Sequence, residues 1–242
     1  MANYLFPQRG DKETWDRIFL SFFTIFAMWI GVGSVVTILF TAFFGHTKSA
    51  WSEYLIGLIA FVPFFIGVAL HTRIIKRPFR TLITPQRKLD ASHIVLGAVT
   101  WLFIISSFAF VGKFIDPSSI TYTFDLNIFL PSLLVLLFLL PIQTTVEELF
   151  FRGFLSQTLS KVMKNPIVIN VIASLVFASL HLANPEVKGD YAAALIVYGS
   201  IGFAWGFAAY LFGGLEIALG AHFANNVFGL LIVGYENSAL PS

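Results

Sequence analysis

The stretch IFLSFFTIFAMWIGVGSVVTILFTAFF, residues 18–44, carries no charged side chain from end to end. At 1.5 Å rise per residue a helix of this length crosses the ~30 Å hydrocarbon core of a bilayer with residues to spare. It is too long for the apolar core of a cleavable signal peptide, which runs to about 7–15 residues, so it reads as a membrane anchor. Comparable stretches follow at 54–70, 93–112, 127–149, 167–183, 191–212 and 215–233. Seven spans are therefore expected, with six or eight as the margins. The segment 167–183 is short, and Pro131 and Pro141 within 127–149 predict a kink or a longer helix.

Composition agrees with this reading. Of 242 residues 57% are hydrophobic and 12% charged, where a soluble chain carries about 25% charge. The mean hydropathy is +0.82. With no cysteine, disulfides, thiolate metal sites, cysteine nucleophiles and palmitoylation are all excluded. The 15 Lys and Arg residues alternate between the intervals. Three precede the first span (Arg9, Lys12, Arg17), six lie between the second and third (Arg73, Lys76, Arg77, Arg80, Arg87, Lys88), and three follow the fourth (Arg152, Lys161, Lys164). The other side holds Lys48, Lys113 and Lys188. The positive-inside rule places the N-terminus in the cytoplasm, with the plasma membrane as the expected location, and the basic loop 71–92 against anionic headgroups.

Several polar and small residues have ordinary structural readings. His46, His71 and His93 flank spans, where a solvated interfacial histidine is expected. Glu216 opens the last helix, where an acid is favourable against the helix dipole. Trp15, Trp29, Trp51, Trp101 and Trp205 include candidates for interfacial anchors. Gly202 and Gly206 lie one turn apart in a run of small residues, which points to close helix packing ahead of room for a substrate backbone.

Five ionisable groups stand where lipid excludes them: Glu147, Glu148 and Arg152 on the fourth span, His181 on the fifth and His222 on the seventh. Each costs about 2.5–3.5 kcal/mol on insertion scales, so together they need mutual satisfaction or a water-filled cavity. Glu148 and Arg152 are four apart, the favourable orientation for a helical pair. Glu147 lies about 100° further round the axis, without an equally close cation. It is a candidate general base, set against a purely structural Glu-Glu-Arg network. Phe177 lies one turn before His181, and Asn184-Pro185 ends that helix. His222 and Asn226 share one face, suited to donate two hydrogen bonds to an oxyanion or to contribute metal ligands. If the fourth helix runs on to Lys161, Glu147 and His181 both sit ~21 Å from the cytoplasmic end, whereas His222 sits at ~10 Å. A deeply set Gly213-Gly214 turn or a tilted helix is then required.

Glu147-Glu148-Leu149-Phe150-Phe151-Arg152, Phe177 to His181 and His222 to Asn226 resemble the three motifs of the CAAX protease and bacteriocin-processing (CPBP, or Abi) membrane proteases, relatives of the type 2 CAAX prenyl protease. The resemblance implies that Glu147 and His181 activate the hydrolytic water while His222 and Asn226 stabilise the oxyanion. Glu148, Arg152 and Phe177 then complete the site. It also leaves two schemes open. One is metal-free and needs no cofactor; in the other a divalent metal such as zinc is held by Glu147, His181 and His222.

The expected fold is an all-α polytopic membrane protein around a polar intramembrane cavity, with motif-free helices over 1–124 and a catalytic core over 125–235. The expected function is an intramembrane endopeptidase acting on a membrane-associated or prenylated peptide or protein. Its partners are membrane lipid and that substrate, with no nucleic acid. A non-catalytic immunity or binding protein of the same fold is the alternative; a proton-coupled carrier is a third class, without the paired broken helices such carriers show.

Overall fold

A computed structural model describes residues 3–7, 12–117, 121–122, 125–187, 189–231 and 233–234. Arg9 and Lys188, counted above among the loop charges, lie outside the described residues, as do residue 232 of the last expected span and residues 124 and 235 at the expected domain boundaries. Six helices are long and apolar enough to cross a membrane. They include α1 (Trp15–Thr47), α2 (Ala50–Ile74), α3 (Ala91–Ile115), α5 (Pro166–Ala183) and α6 (Tyr191–Phe212). The remaining one, α4, runs over Leu126–Glu148 and continues through a π-helical turn, Leu149–Leu155, into Ser156–Leu159. The seventh expected span forms the shorter α7, Glu216–Leu231, of 16 residues. At about 24 Å it is shorter than the others, so six long spans are counted among the described residues. A two-residue antiparallel pair, β1 (Thr121–Tyr122) and β2 (Val233–Gly234), joins the ends of two loops.

The boundaries follow local chemistry. The side chain of Asp90 caps α3 by accepting from the Ser92 amide, and Asn165 caps α5 by accepting from the Ile167 and Val168 amides, with Pro166 at the first helical position. Gly213 ends α6 in the left-handed region at φ 76°, where the missing Cβ removes the steric cost. Pro131 and Pro141 are both accommodated inside α4. The outer faces are apolar: Phe103, Phe108, Phe110 and Phe114 of α3 are exposed, as are Leu134 and Phe138 of α4, which suits contact with acyl chains.

The depth problem at His222 is resolved by what covers the α6–α7 turn. The Leu215 amide donates to the Ile83 carbonyl at 2.8 Å, and the Tyr4 amide donates to the Gly213 carbonyl at 3.1 Å. The Asn3 side chain donates to the Tyr210 carbonyl at 2.8 Å. Tyr4, Leu5, Leu215 and Glu216 are all buried; burial pushes the Tyr4 phenol pKa up, so the group stays neutral. The turn is thus drawn inside the protein and roofed by residues 3–5 and by the loop through Ile83. Glu216 keeps its structural reading, accepting from the Asp90 amide at 3.4 Å.

Two expectations about solvated side chains are corrected. His71 is buried, because its face of α2 turns toward α4 and its ring stands edge-on to Phe154 at 4.7 Å. Arg77, placed by its sequence in a headgroup-binding loop, instead donates to Glu13 Oε2 at 3.0 Å and to Gln157. Lys161 donates to the Glu13 carbonyl. The entry to α1 is thereby tied to the ends of α2 and α4.

Helix α7 lies along α3 at glycine-to-backbone distance. A Cβ on Gly97 would run into the Ile217 carbonyl, and one on Gly220 into the Ile94 carbonyl. These are main-chain obstacles that cannot rotate away. Gly97→Ala and Gly220→Ala are therefore expected to destabilise by at least about 1–3 kcal/mol, read as a lowered Tm in detergent. Gly31→Ala, with nothing within 4 Å of the new methyl, should leave Tm unchanged.

Candidate active site

The π-helical turn begins immediately after Glu148. Adding a residue to the turn lets six consecutive residues, Leu149 to Phe154, all be buried. Phe150 meets Phe64 of α2 edge-on at 5.4 Å, and Phe151 meets Phe177 of α5 edge-on at 5.2 Å. The turn thus packs α4 on two sides at once, and Arg152 is carried into the interior with no exposed surface.

Arg152 Nη1 donates to Glu148 Oε1 at 2.9 Å, and its Nη2 donates to the Gly202 carbonyl at 2.8 Å. Its guanidinium carbon lies 4.8 Å from the Phe177 ring centroid, a cation–π contact. Gly202 leaves room there: a Cβ would sit 3.1 Å from both Arg152 Nη2 and Phe177, a tight contact. A Cβ on Gly206 would strike the Asn170 amide, which donates to the Phe203 carbonyl at 2.9 Å. The glycine pair is thus a packing device, its spaces filled by Arg152, Phe177 and Asn170.

The same Glu148 Oε1 is 2.9 Å from His222 Nδ1. A carboxylate only accepts, so Nδ1 carries the proton. The other ring nitrogen, Nε2, lies 3.4 Å from Glu147 Oε2, and Trp205 stacks on the imidazole at 4.4 Å and 27°. His222 therefore stands between the two adjacent glutamates, and it is the ionic neighbour of Glu147. Glu147 Oε2 is buried and has no hydrogen-bond partner among the described residues.

His181 follows the last residue of the regular α5 helix, Leu180, and its Nδ1 is 2.8 Å from the Phe177 carbonyl oxygen. That oxygen also only accepts, so Nδ1 carries the proton and Nε2 is left as an acceptor. The ring is held between Phe177, at 4.3 Å, and Tyr198, at 4.5 Å. Asn184, extended at ψ 141° before Pro185, ends the helical turn there as expected.

Glu147, His181, His222 and Asn226 all line one cavity of about 420 Å³. Glu147 and His181 face this shared space with no ion pair or hydrogen bond between them among the described residues. Glu148 and Arg152 lie behind the wall. Gln143, Asn184 and Asn225 add polar groups to the lining, and α1 and α2 contribute Trp29, Phe61 and Phe64. Trp29 stacks on Phe64 at 4.3 Å and 9°. For a divalent metal, the sequence offered Glu147, His181 and His222. Among the described residues no group of three or more His, Cys, Asp and Glu side chains is arranged to hold one ion.

Sequence reasoning missed Gln143, Trp205, Asn225 and Tyr198, and two of its anchor candidates are misplaced. Trp205 is buried and Trp29 lines the cavity, whereas Trp15 is exposed. Gln143 carried a usable signal, since it lies one turn before Glu147 on the same face.

Fold and site together define a polytopic helical membrane protein with an acid–imidazole–amide cluster opening on an internal cavity. Residues 128–228 match the family described as type II CAAX prenyl endopeptidase Rce1-like. The uncharacterized protein YyaK of Bacillus subtilis (strain 168) is 33% identical over 252 residues, covering 98% of this chain and 84% of that protein. The chain belongs to the Rce1-like family of CAAX proteases. No solved structure matches it.

The shared carboxylate makes Arg152 a stability determinant. Arg152→Ala leaves Glu148 buried without its guanidinium partner and is expected to cost about 3–5 kcal/mol. The double variant Glu148→Gln/Arg152→Met should recover part of that loss in thermal unfolding. An unchanged Tm in the single variant would contradict the pairing.

Proposed function

We propose that this protein is an intramembrane endopeptidase that hydrolyses a peptide bond in a membrane-associated or prenylated peptide or protein. The observation that carries the reading is Glu147. Its carboxylate lines the cavity, with Oε2 buried beside His222 Nε2 and without a hydrogen-bond partner among the described residues, held by a helix whose next residue is locked by Arg152 and His222. A water in the cavity has two acceptors to satisfy its two protons, Glu147 and His181 Nε2, which leaves its lone pairs facing a substrate carbonyl. The water oxygen bonds to the carbonyl carbon as its proton passes to Glu147. The tetrahedral oxyanion is received by Asn226 and by His222, whose Nδ1–H is engaged by Glu148 and whose Nε2 donates when it carries a proton. The C–N bond then breaks as Glu147 returns the proton to the leaving amine, giving a new carboxylic acid, whose proton passes to water, and a new amine. Every step uses protein groups and water alone.

The aromatic rings of the lining suit an apolar segment of the substrate, and its polar groups the scissile backbone. The charge pattern supports an N-terminus in the cytoplasm, and this reading takes the plasma membrane as the location. Residues 125–235 form the catalytic core in this reading, with the preceding helices supplying the aromatic wall.

Purified protein in liposomes, incubated with candidate prenylated and membrane-anchored peptides, is expected to release fragments that mass spectrometry maps to one cleavage position. Glu147→Gln should lower the rate by about 10²–10⁴-fold while the protein stays folded. His181→Ala and His222→Ala should also lose turnover. Cleavage by Glu147→Gln at the wild-type rate overturns the mechanism, and peptide retention without any product favours a binding protein of the same fold.

A further inference from the structure

Asn226 does not stand alone at the cavity wall. Trp101 Nε1 on α3 donates to Asn225 Oδ1 at 3.0 Å. Asn225 Nδ2 donates to Asn226 Oδ1 at 3.1 Å, and Asn226 Nδ2 donates to Gln143 Oε1 on α4 at 2.8 Å. One chain of three hydrogen bonds thus links α3, α7 and α4, and it ends one helical turn before Glu147.

The direction of this chain is set at its first member. An amide side chain can present either its oxygen or its nitrogen, but an indole nitrogen only donates. With Trp101 donating, Asn225 must turn its oxygen to the indole and its nitrogen to Asn226. Asn226 must then spend its oxygen on Asn225, which leaves its nitrogen facing Gln143 and the cavity. The reverse polarity would bring the indole N–H against an amide N–H. The indole itself is fixed, packed edge-on against Trp205 at 5.4 Å, and Trp205 stacks on His222.

We infer that Trp101, Asn225 and Gln143 are positioning residues, a hydrogen-bond chain of single polarity that turns the amide N–H of Asn226 into the cavity to receive the oxyanion. The inference rests on the endopeptidase reading above and adds to it the reason that Asn226 acts as a donor. Without a fixed polarity the amide would present its carbonyl for part of the time, and a carbonyl oxygen repels an oxyanion. Glu147 remains the group that takes and returns the proton, and His222 the second oxyanion donor; these three residues act through Asn226.

The test is a kinetic cycle on purified, liposome-reconstituted protein with a peptide that the wild type cleaves. Trp101→Phe keeps an aromatic ring and removes the donor, and should lower kcat about tenfold with KM unchanged. Asn225→Asp accepts from both neighbours, reverses Asn226, and should lower kcat by about 10²-fold, the scale of losing one oxyanion donor. In an Asn226→Ala background neither change should lower kcat further, because the amide being oriented is gone. Wild-type kcat in Trp101→Phe, or equal losses with and without Asn226, would overturn the inference while leaving the endopeptidase reading intact. If the wild type cleaves nothing, that reading fails and the catalytic role of the chain fails with it. The chain itself is then judged by the Trp101 indole N–H resonance in 15N-labelled protein, assigned by its loss in Trp101→Phe. A shift in both Asn225→Ala and Asn226→Ala supports a connected chain, and an unmoved resonance in both refutes it.

Discussion

One oxygen, Oε1 of Glu148, receives Arg152 Nη1 and His222 Nδ1, each at 2.9 Å, with all three side chains buried. In a protein surrounded by hydrocarbon, a lone carboxylate at this depth would be expelled or neutralised. Shared between a guanidinium and an imidazole it becomes a joint instead. It fixes α7 to α4 at the level of the site, and through Arg152 Nη2 and the Gly202 carbonyl, 2.8 Å apart, it brings in α6. Glu147, the next residue back, is held at the cavity wall without a comparable partner of its own. The two adjacent glutamates thus differ: Glu148 is engaged by Arg152 and His222, and Glu147 stands at the cavity wall beside His222 Nε2.

The remaining architecture follows from delivering these groups to one depth. A 16-residue α7 reaches the level of Glu147 because its first turn starts inside the protein, beneath Tyr4, Leu5 and Ile83. It lies close to α3 because Gly97 and Gly220 have no side chains to hold the backbones apart. The π-helical turn after Glu148 serves the same end on α4, turning Arg152 inward between Phe151 and Phe177. A cavity lined by a carboxylate, two imidazoles, a set of amides and several aromatic rings is the product.

The spans and the motif residues were legible in the sequence because both depend on local chemistry. Lipid exposure demands long apolar runs, and Tyr191–Phe212 was read to the residue. Buried charges announce themselves by their cost, which is why Glu147, Glu148, Arg152, His181 and His222 stood out. Which face of a helix turns inward was not legible. In a bilayer the lipid side and the protein side are both apolar, so no amphipathic period distinguishes them. Trp205 and Trp15 look alike in sequence, yet one stacks on His222 and the other lies exposed. The polar chain through Gln143, Asn225 and Trp101 was hidden because nothing in the sequence pairs these uncharged side chains, which stand on three separate helices. His71 and Arg77 were misread because their burial comes from distant partners, Phe154 and Glu13.

The claim on which this account stands is that the cavity holds water within the bilayer. The chain has no cysteine, so a single one can be introduced and probed without background. Ile201 lines the cavity from α6, and Leu134 is exposed on the outer face of α4. In liposomes, a charged, water-soluble thiol reagent should label Ile201→Cys and leave Leu134→Cys unmodified. Equal resistance at both positions would mean a dry interior, with no water for Glu147 to activate.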